Sequence, residues 1–226
     1  MSGNALKLIQ PVSKRDQVVT SFKEAILRGD IQPGETIVES KVAHQLGAGI
    51  PLVREALIEL EHQGYVQKVP YKGTTVTRLE RRHVEQIFRL RIELETLAIE
   101  WAKESVTPAD IDYLRSVTLR MKQAAQALDL DRFYENDLAF HRKLWEMSGN
   151  PYLVESLERL VVPLFAFFVM KNRRARQSYL ASAASHAALV EALPRLSKAR
   201  LGALMRNSLA GWQTEILDEL LPHEPE

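Results

Sequence analysis

Only three residues, Gly47-Ala48-Gly49, separate two segments that both carry helical periodicity. A connection that short makes the two helices meet at a helix-turn-helix corner. The segment before it spans about 40–46, with Ser40 placed to cap its first turn. The segment after it opens at Pro51, a position where the start of a helix tolerates proline. It buries Val53, Ala56, Leu57 and Leu60 before stopping at Gly64. Upstream, residues 13–28 align Val18, Val19, Phe22, Ile26 and Leu27 on one side, and the turn formers of 29–35 end that helix. Downstream, Tyr65–Val69 and Thr74–Arg78 are β-prone runs around Pro70-Tyr71-Lys72-Gly73, which predicts a hairpin. Three helices and a hairpin in this order make a winged helix-turn-helix.

From Glu80 onward the strand signal disappears and helix formers take over. The pattern predicts six helices, near 81–104, 108–128, 130–148, 151–170, 174–195 and 198–221. Thr107-Pro108 and Asn150-Pro151 mark starts and Gly149 an end, and Pro163 and Pro194 are expected to kink or interrupt their helices. The expected fold is thus mostly α, an N-terminal winged helix-turn-helix followed by an all-helical bundle of about six helices. Its expected divisions are a flexible arm over 1–12, a winged helix-turn-helix domain over 13–79, a helical domain over 80–221, and a tail over 222–226.

Composition narrows the chemistry. A chain of 226 residues with 46% apolar side chains can fill two cores. The net charge of +1 leaves any basic surface to be local. No cysteine is present, which excludes a disulfide framework, a thiolate metal site and a cysteine nucleophile. The longest apolar run, Leu160 to Met170, is too short to span a bilayer, and Met1 to Pro11 lacks the apolar stretch of a signal peptide. A soluble cytoplasmic protein with no membrane partner is expected.

A helix-turn-helix lays the start of its second helix in the major groove of DNA. Here that end offers Ile50, Pro51, Leu52 and Arg54, and Arg54 suits guanine recognition or a phosphate. Ser40 and Lys41 begin the preceding helix and could hold phosphates; Lys72 and Gly73 sit at the hairpin tip. Arg54 could instead form a surface ion pair with Glu55 or Glu59. The run Lys171, Arg173, Arg174 and Arg176 reads as a solvated loop or helix start rather than a second DNA contact.

In the helical half, polar residues fall on apolar stripes. Asp137 and His141 lie one turn apart among Phe133, Tyr134, Leu138, Leu144 and Trp145. His186 is in register with Ala183, Leu189, Val190 and Leu193; Arg91 with Val84, Ile87, Phe88, Leu94 and Ala98; Ser208 with Leu201, Leu204, Met205 and Trp212. One shared polar pocket accounts for all of them, because burying such groups without partners is costly. Asp137, His141 and His186 together suit a divalent cation such as zinc, nickel or manganese, and Arg91 suits a carboxylate. Taken singly, each histidine could be an ordinary core residue, and Asp137 and His141 could simply bond to each other.

Several spaced strings resemble the GntR family of regulators. They are Ile31-Gln32-Pro33-Gly34-Glu35, Val42-Ala43-His44-Gln45-Leu46-Gly47, Val53-Arg54-Glu55-Ala56-Leu57, and Leu60 through Val66. The family usually has Ser-Arg-Thr-Pro where this chain has Gly49-Ile50-Pro51-Leu52, so a customary DNA-contacting arginine is Ile50 here. Residues 80–221 resemble the FCD effector domain of the FadR-like subfamily. The matching strings are Arg91-Ile92-Glu93-Leu94-Glu95, Asn136 through His141, Ser148-Gly149-Asn150-Pro151, and His186 through Leu193. The resemblance implies a metal held by an Asp and up to three His. Asp137, His141 and His186 match three of those ligands, and Ser208 stands where the fourth would be. It further implies that Arg91 faces a small carboxylate effector.

The function expected is a ligand-responsive transcription regulator, a homodimer on a double-stranded DNA operator, with no catalytic residue. The alternatives are a metalloenzyme built on the Asp/His/His set and a ligand-free dimerisation bundle.

Overall fold

A computed structural model describes residues 13–171 and 176–221. The expected arm over 1–12 and tail over 222–226 lie outside the described residues, as do Arg173, Arg174 and the side chain of Arg176. The chain divides into two compact units, the first ending at Thr77 and the second starting at Arg78.

The first unit opens with α1 (Lys14–Arg28), which Ser13 caps by accepting from the Asp16 N–H at 3.0 Å. β1 (Thr36–Ile37) leads into α2 (Glu39–Leu46), and Gly47 ends that helix at φ +59°, where a side chain would be strained. α3 (Ile50–His62) follows at once, then β2 (Val66–Val69) and β3 (Gly73–Val76). The sheet is antiparallel in the order β1-β3-β2, with Val66 opposite Val76 and Thr36 opposite Thr75. The four apolar residues expected on α3 are all buried, as are Val18, Val19, Phe22 and Ile26 of α1; Leu27 faces solvent.

Three local expectations are corrected. Ser40 is not a cap: α2 begins one residue earlier, because extended Val38 carries the chain straight from β1 into the helix. β1 itself was not foreseen, since a two-residue strand has no periodicity to read. Pro51 occupies the second position of α3, behind Ile50.

The second unit contains α4 (Arg81–Ser105), α5 (Pro108–Ala127), α6 (Leu130–Met147), α7 (Pro151–Met170), α8 (Arg176–Ala192) and α9 (Lys198–Leu220). None of the helices is long and apolar enough to cross a membrane among the described residues. α4 packs against α6, α7 and α9. Both its ends are tied down: Arg81 donates to the carbonyls of Leu217 and Leu221, and Lys103 to those of Leu193 and Pro194. α7 runs through Pro163 as one continuous helix, so the interruption expected as one outcome does not occur. One missing backbone donor is outweighed by ten buried apolar side chains along that helix, Leu153 to Val169. Pro194, by contrast, lies in the turn after α8.

Leu60 is fully enclosed in the first unit. Leu60→Ala is expected to destabilise that unit by about 2–5 kcal/mol. Urea unfolding followed by circular dichroism measures this.

Candidate functional site

The inward-facing polar side chains of the bundle gather at one place. Arg91 and Glu95 stand one turn apart on α4, Asp137 and His141 one turn apart on α6, and His186 comes from α8. Arg91, Glu95, Asp137 and His141 are all buried, and the His186 side chain is 15% exposed. A cavity beside them is lined by Arg91, Asp137, His141 and His186, with Ser185 and Ser208 among its remaining walls. Ser208 is solvent-exposed, with its Oγ 3.3 Å from that of Ser185.

Glu95 organises the cluster, although sequence reading gave it no role. Its Oε1 accepts from Arg91 Nε at 2.6 Å, and its Oε2 lies 2.5 Å from His141 Nδ1. Burial alone would raise its pKa, but the Arg91 charge and the hydrogen bonds from Arg91 and His141 bring it down to about 2. An ionised Glu95 accepts a hydrogen bond from His141 Nδ1–H, and in the neutral imidazole the lone pair is then on Nε2. His186 is fixed the same way, since its Nδ1 is 2.8 Å from the Ser182 carbonyl and donates to it. Both Nε2 atoms then face inward, 3.3 Å apart.

Asp137 completes the group. Its Oδ1 is 3.0 Å from His186 Nε2 and 3.5 Å from His141 Nε2, yet neither carboxylate oxygen accepts an aligned hydrogen bond. Burial opposes its ionisation, and His186, His141 and Arg91 outweigh burial, so its pKa is lowered. For His186, burial works against protonation, while Asp137 and the Ser182 carbonyl more than offset it and raise the pKa.

Two nitrogen lone pairs and an unsatisfied carboxylate therefore share edges of 3.0, 3.3 and 3.5 Å. Donors held about 2.0–2.2 Å from one ion stand roughly 3.0–3.5 Å apart, so the set fits a divalent cation. Among the described residues it is also the one group of three such donors close enough to share an ion. Arg91 donates to His141 Nε2 at 3.1 Å, while its Nη1 has no hydrogen-bond partner. Its guanidinium lies 5.1 Å from the Phe165 ring centre and 5.7 Å from that of Trp212, which shields it from water.

The residues expected to meet DNA are spread over three elements of the first unit. Ser40 and Lys41 are exposed in the first turn of α2; Ile50, Pro51 and Arg54 are exposed at the start of α3, and Leu52 is half-buried there. Lys72 and Gly73 are exposed at the hairpin. Arg54 does form an ion pair, with neither Glu55 nor Glu59 but with Glu39 of α2, at 2.7 Å. The contact raises the Arg54 pKa and lowers that of Glu39, chiefly through their shared hydrogen bond.

Glu95→Gln removes the charge that balances Arg91. Breaking a buried pair in this way is expected to destabilise the bundle by about 3–5 kcal/mol in urea unfolding. Glu95 has a folded pKa of about 2 against an ordinary 4.5. Its contribution is complete above pH 4.5 and is lost as pH falls through about 2, so parent and variant should converge over that window.

Comparison with known proteins agrees with this division of labour. Residues 14–76 match the family described as bacterial regulatory proteins, gntR family, and residues 86–211 match the FCD domain. The HTH-type transcriptional regulator McbR of Escherichia coli K12 is 31% identical over 151 residues, covering 67% of this chain and 68% of that protein. A solved structure of E. coli McbR/YncC superposes with a TM-score of 0.65 at 27% identity, over 93% of this chain and 98% of the other. A GntR regulator from Rhodococcus sp. RHA1 shares the fold, with a TM-score of 0.68 at 18% identity over 92% of this chain and 99% of the other. The chain belongs to the GntR family of bacterial regulatory proteins, carries an FCD domain, and is a DNA-binding transcription regulator.

Proposed function

We propose that the bundle is a sensor for a divalent metal together with a small organic acid, and that its occupancy controls operator binding by a homodimer. Asp137, His141 and His186 would hold the ion, and Arg91 would take the carboxylate. The observation that carries this reading is the pair of fixed imidazole tautomers, whose free nitrogens converge on an unsatisfied carboxylate.

Charge balance supports both guests. With neutral histidines, Arg91, Glu95 and Asp137 leave one net negative charge in a buried site. A dication overshoots by one positive charge, and a monocarboxylate cancels it. Metal on His141 Nε2 would displace the Arg91 Nη2 hydrogen bond, freeing two guanidinium nitrogens for bidentate contact. Ser185 and Ser208 would offer hydroxyls to the same guest. Zinc, nickel and manganese all suit two imidazoles and a carboxylate.

In the head, residues 13–79, the exposed start of α3 is the surface proposed for the major groove, with Arg54 reading a base and Ser40, Lys41 and Lys72 holding phosphates. The Glu39 contact would hold the Arg54 guanidinium ready between binding events. Dimerisation is assigned to the outer face of α4. There Leu90, Leu97 and Trp101 are 54%, 38% and 36% exposed at coiled-coil spacing. We read the site as sensory rather than catalytic, in keeping with the regulators it resembles.

Four measurements test this. Elemental analysis of purified protein should find about one metal per chain, lost in Asp137→Asn; absence of metal, with no heat on adding zinc, nickel or manganese, would reject the site. A proton on His186 competes with the ion, so metal affinity should strengthen as pH rises from 6 through the raised His186 pKa. A pH-independent affinity would contradict that. Arg54→Ala should weaken binding to a cognate operator by about 1–3 kcal/mol, and unchanged binding across a salt series would remove Arg54 from the interface. A thermal-shift screen of metals and organic acids separates a sensor from a ligand-free dimerisation bundle, which no ligand would stabilise; turnover of a hit would identify an enzyme.

A further inference from the structure

The lone pair on His141 Nε2 is already taken. Arg91 Nη2 donates to it at 3.1 Å, and it is the same lone pair that the ion of the proposed site needs. A neutral imidazole has one such lone pair, so guanidinium and ion compete for it. Arg91 cannot yield by moving into solvent. Its side chain is fully buried, and its Nε is held by Glu95 Oε1 at 2.6 Å. Phe88, Phe165 and Trp212 wall the guanidinium at 5.5, 5.1 and 5.7 Å. An arriving ion therefore meets a cation that stays beside it.

Displacement would leave Arg91 worse off. Its Nη1 already lacks a hydrogen-bond partner, and Nη2 would lose its own. Unpaired guanidinium N–H groups in a buried cage are costly, and a dication alongside adds repulsion. Little in the chain strengthens the ion's side of the contest. The donors close enough to share it stop at three among the described residues, and Ser208 in the cavity wall offers a hydroxyl, a weak ligand beside imidazole. A carboxylate would relieve both difficulties, accepting from the two Nη groups as a fork and cancelling the excess positive charge. The cavity reaches Arg91, has a volume of about 50 Å³, and includes the exposed Ser185 and Ser208 in its wall. That is room for roughly four water-sized groups, the size of a very small acid. An acid arriving alone meets the opposite obstacle, since Asp137 lines the same cavity and Arg91 is engaged with His141.

We propose that Arg91 is a gate on the ion site: without an acid it holds the His141 lone pair against the ion, and a small monocarboxylate draws it off, so acid and ion bind cooperatively. The proposal rests on the ion-and-acid reading above and adds to it a regulatory role for Arg91 and a size and charge for the acid. By linkage, the ion must tighten the acid by the same factor as the acid tightens the ion.

The test titrates the full chain with zinc at one fixed pH against a chromophoric competitor, with and without acetate. Acetate should raise zinc affinity roughly tenfold or more, the usual range for coupled sites, and neutral acetamide should not. Arg91→Met combined with Glu95→Gln removes the buried ion pair as a unit, so no orphan charge remains and the site keeps its net charge. The glutamine carbonyl can still accept from His141 Nδ1–H. Freed of its competitor, this variant should bind zinc severalfold more tightly than the parent does without acetate, and acetate should have no effect. A merely structural Arg91 predicts the reverse, looser zinc binding. Arg91→Lys keeps a charge beside Glu95 and loses the fork, so it should cut the effect of acetate severalfold without loosening zinc. Zinc affinity unmoved by acetate in the parent, or looser zinc in either folded variant, overturns the gate. If zinc then still binds stoichiometrically, the ion site stands without a gate; if zinc binds neither alone nor with acetate, both fail.

Discussion

A single carboxylate, that of Glu95, holds the interior of the bundle in its functional arrangement. It sits on the same helix as Arg91 and one turn away, and it faces His141 from across the helix interface. One oxygen fixes the guanidinium and the other fixes the imidazole. Without it, Arg91 would be an uncompensated cation in a cage of Phe88, Phe165 and Trp212, and His141 could rotate or change tautomer. The directions in which His141 and His186 point follow from that anchor and from the Ser182 carbonyl.

α4 links the proposed activities physically. Its inner face carries Arg91 and Glu95, and its outer face carries Leu90, Leu97 and Trp101. Its first residue, Arg81, follows Thr77 of the head by a short stretch of chain. A guest that repositions Arg91 acts on the same rigid helix that we assign to the dimer seam. Coupling of guest to operator then needs one helix to have two positions, the kind of bistable element through which distant sites communicate.

Much of the fold was legible because its signals are local. The Gly47–Gly49 corner, the apolar face of α3 and the proline-marked starts of α5 and α7 are written within a few residues of where they act. Arg91, Asp137, His141 and His186 were legible as polar residues on apolar stripes. Glu95 belongs to the same pattern, one turn after Arg91, but helix-surface Glu is so common that its burial shows only in three dimensions. The partner of Arg54 was missed for another reason: Glu39 is fifteen residues away and reaches it only because the corner folds α2 back on α3. Pro163 does not interrupt α7 because a proline's effect on a helix depends on how much apolar surface holds that helix in place.

The central claim is that the converging lone pairs of the bundle exist to hold an ion. Anomalous diffraction from crystals grown with zinc, recorded on both sides of the metal edge, tests it most directly. The expected result is one strong peak per chain in bonding contact with His141 Nε2, His186 Nε2 and a carboxylate oxygen of Asp137. A well-ordered site with no anomalous peak, and with Asp137 satisfied by water and its own histidines, would contradict the account.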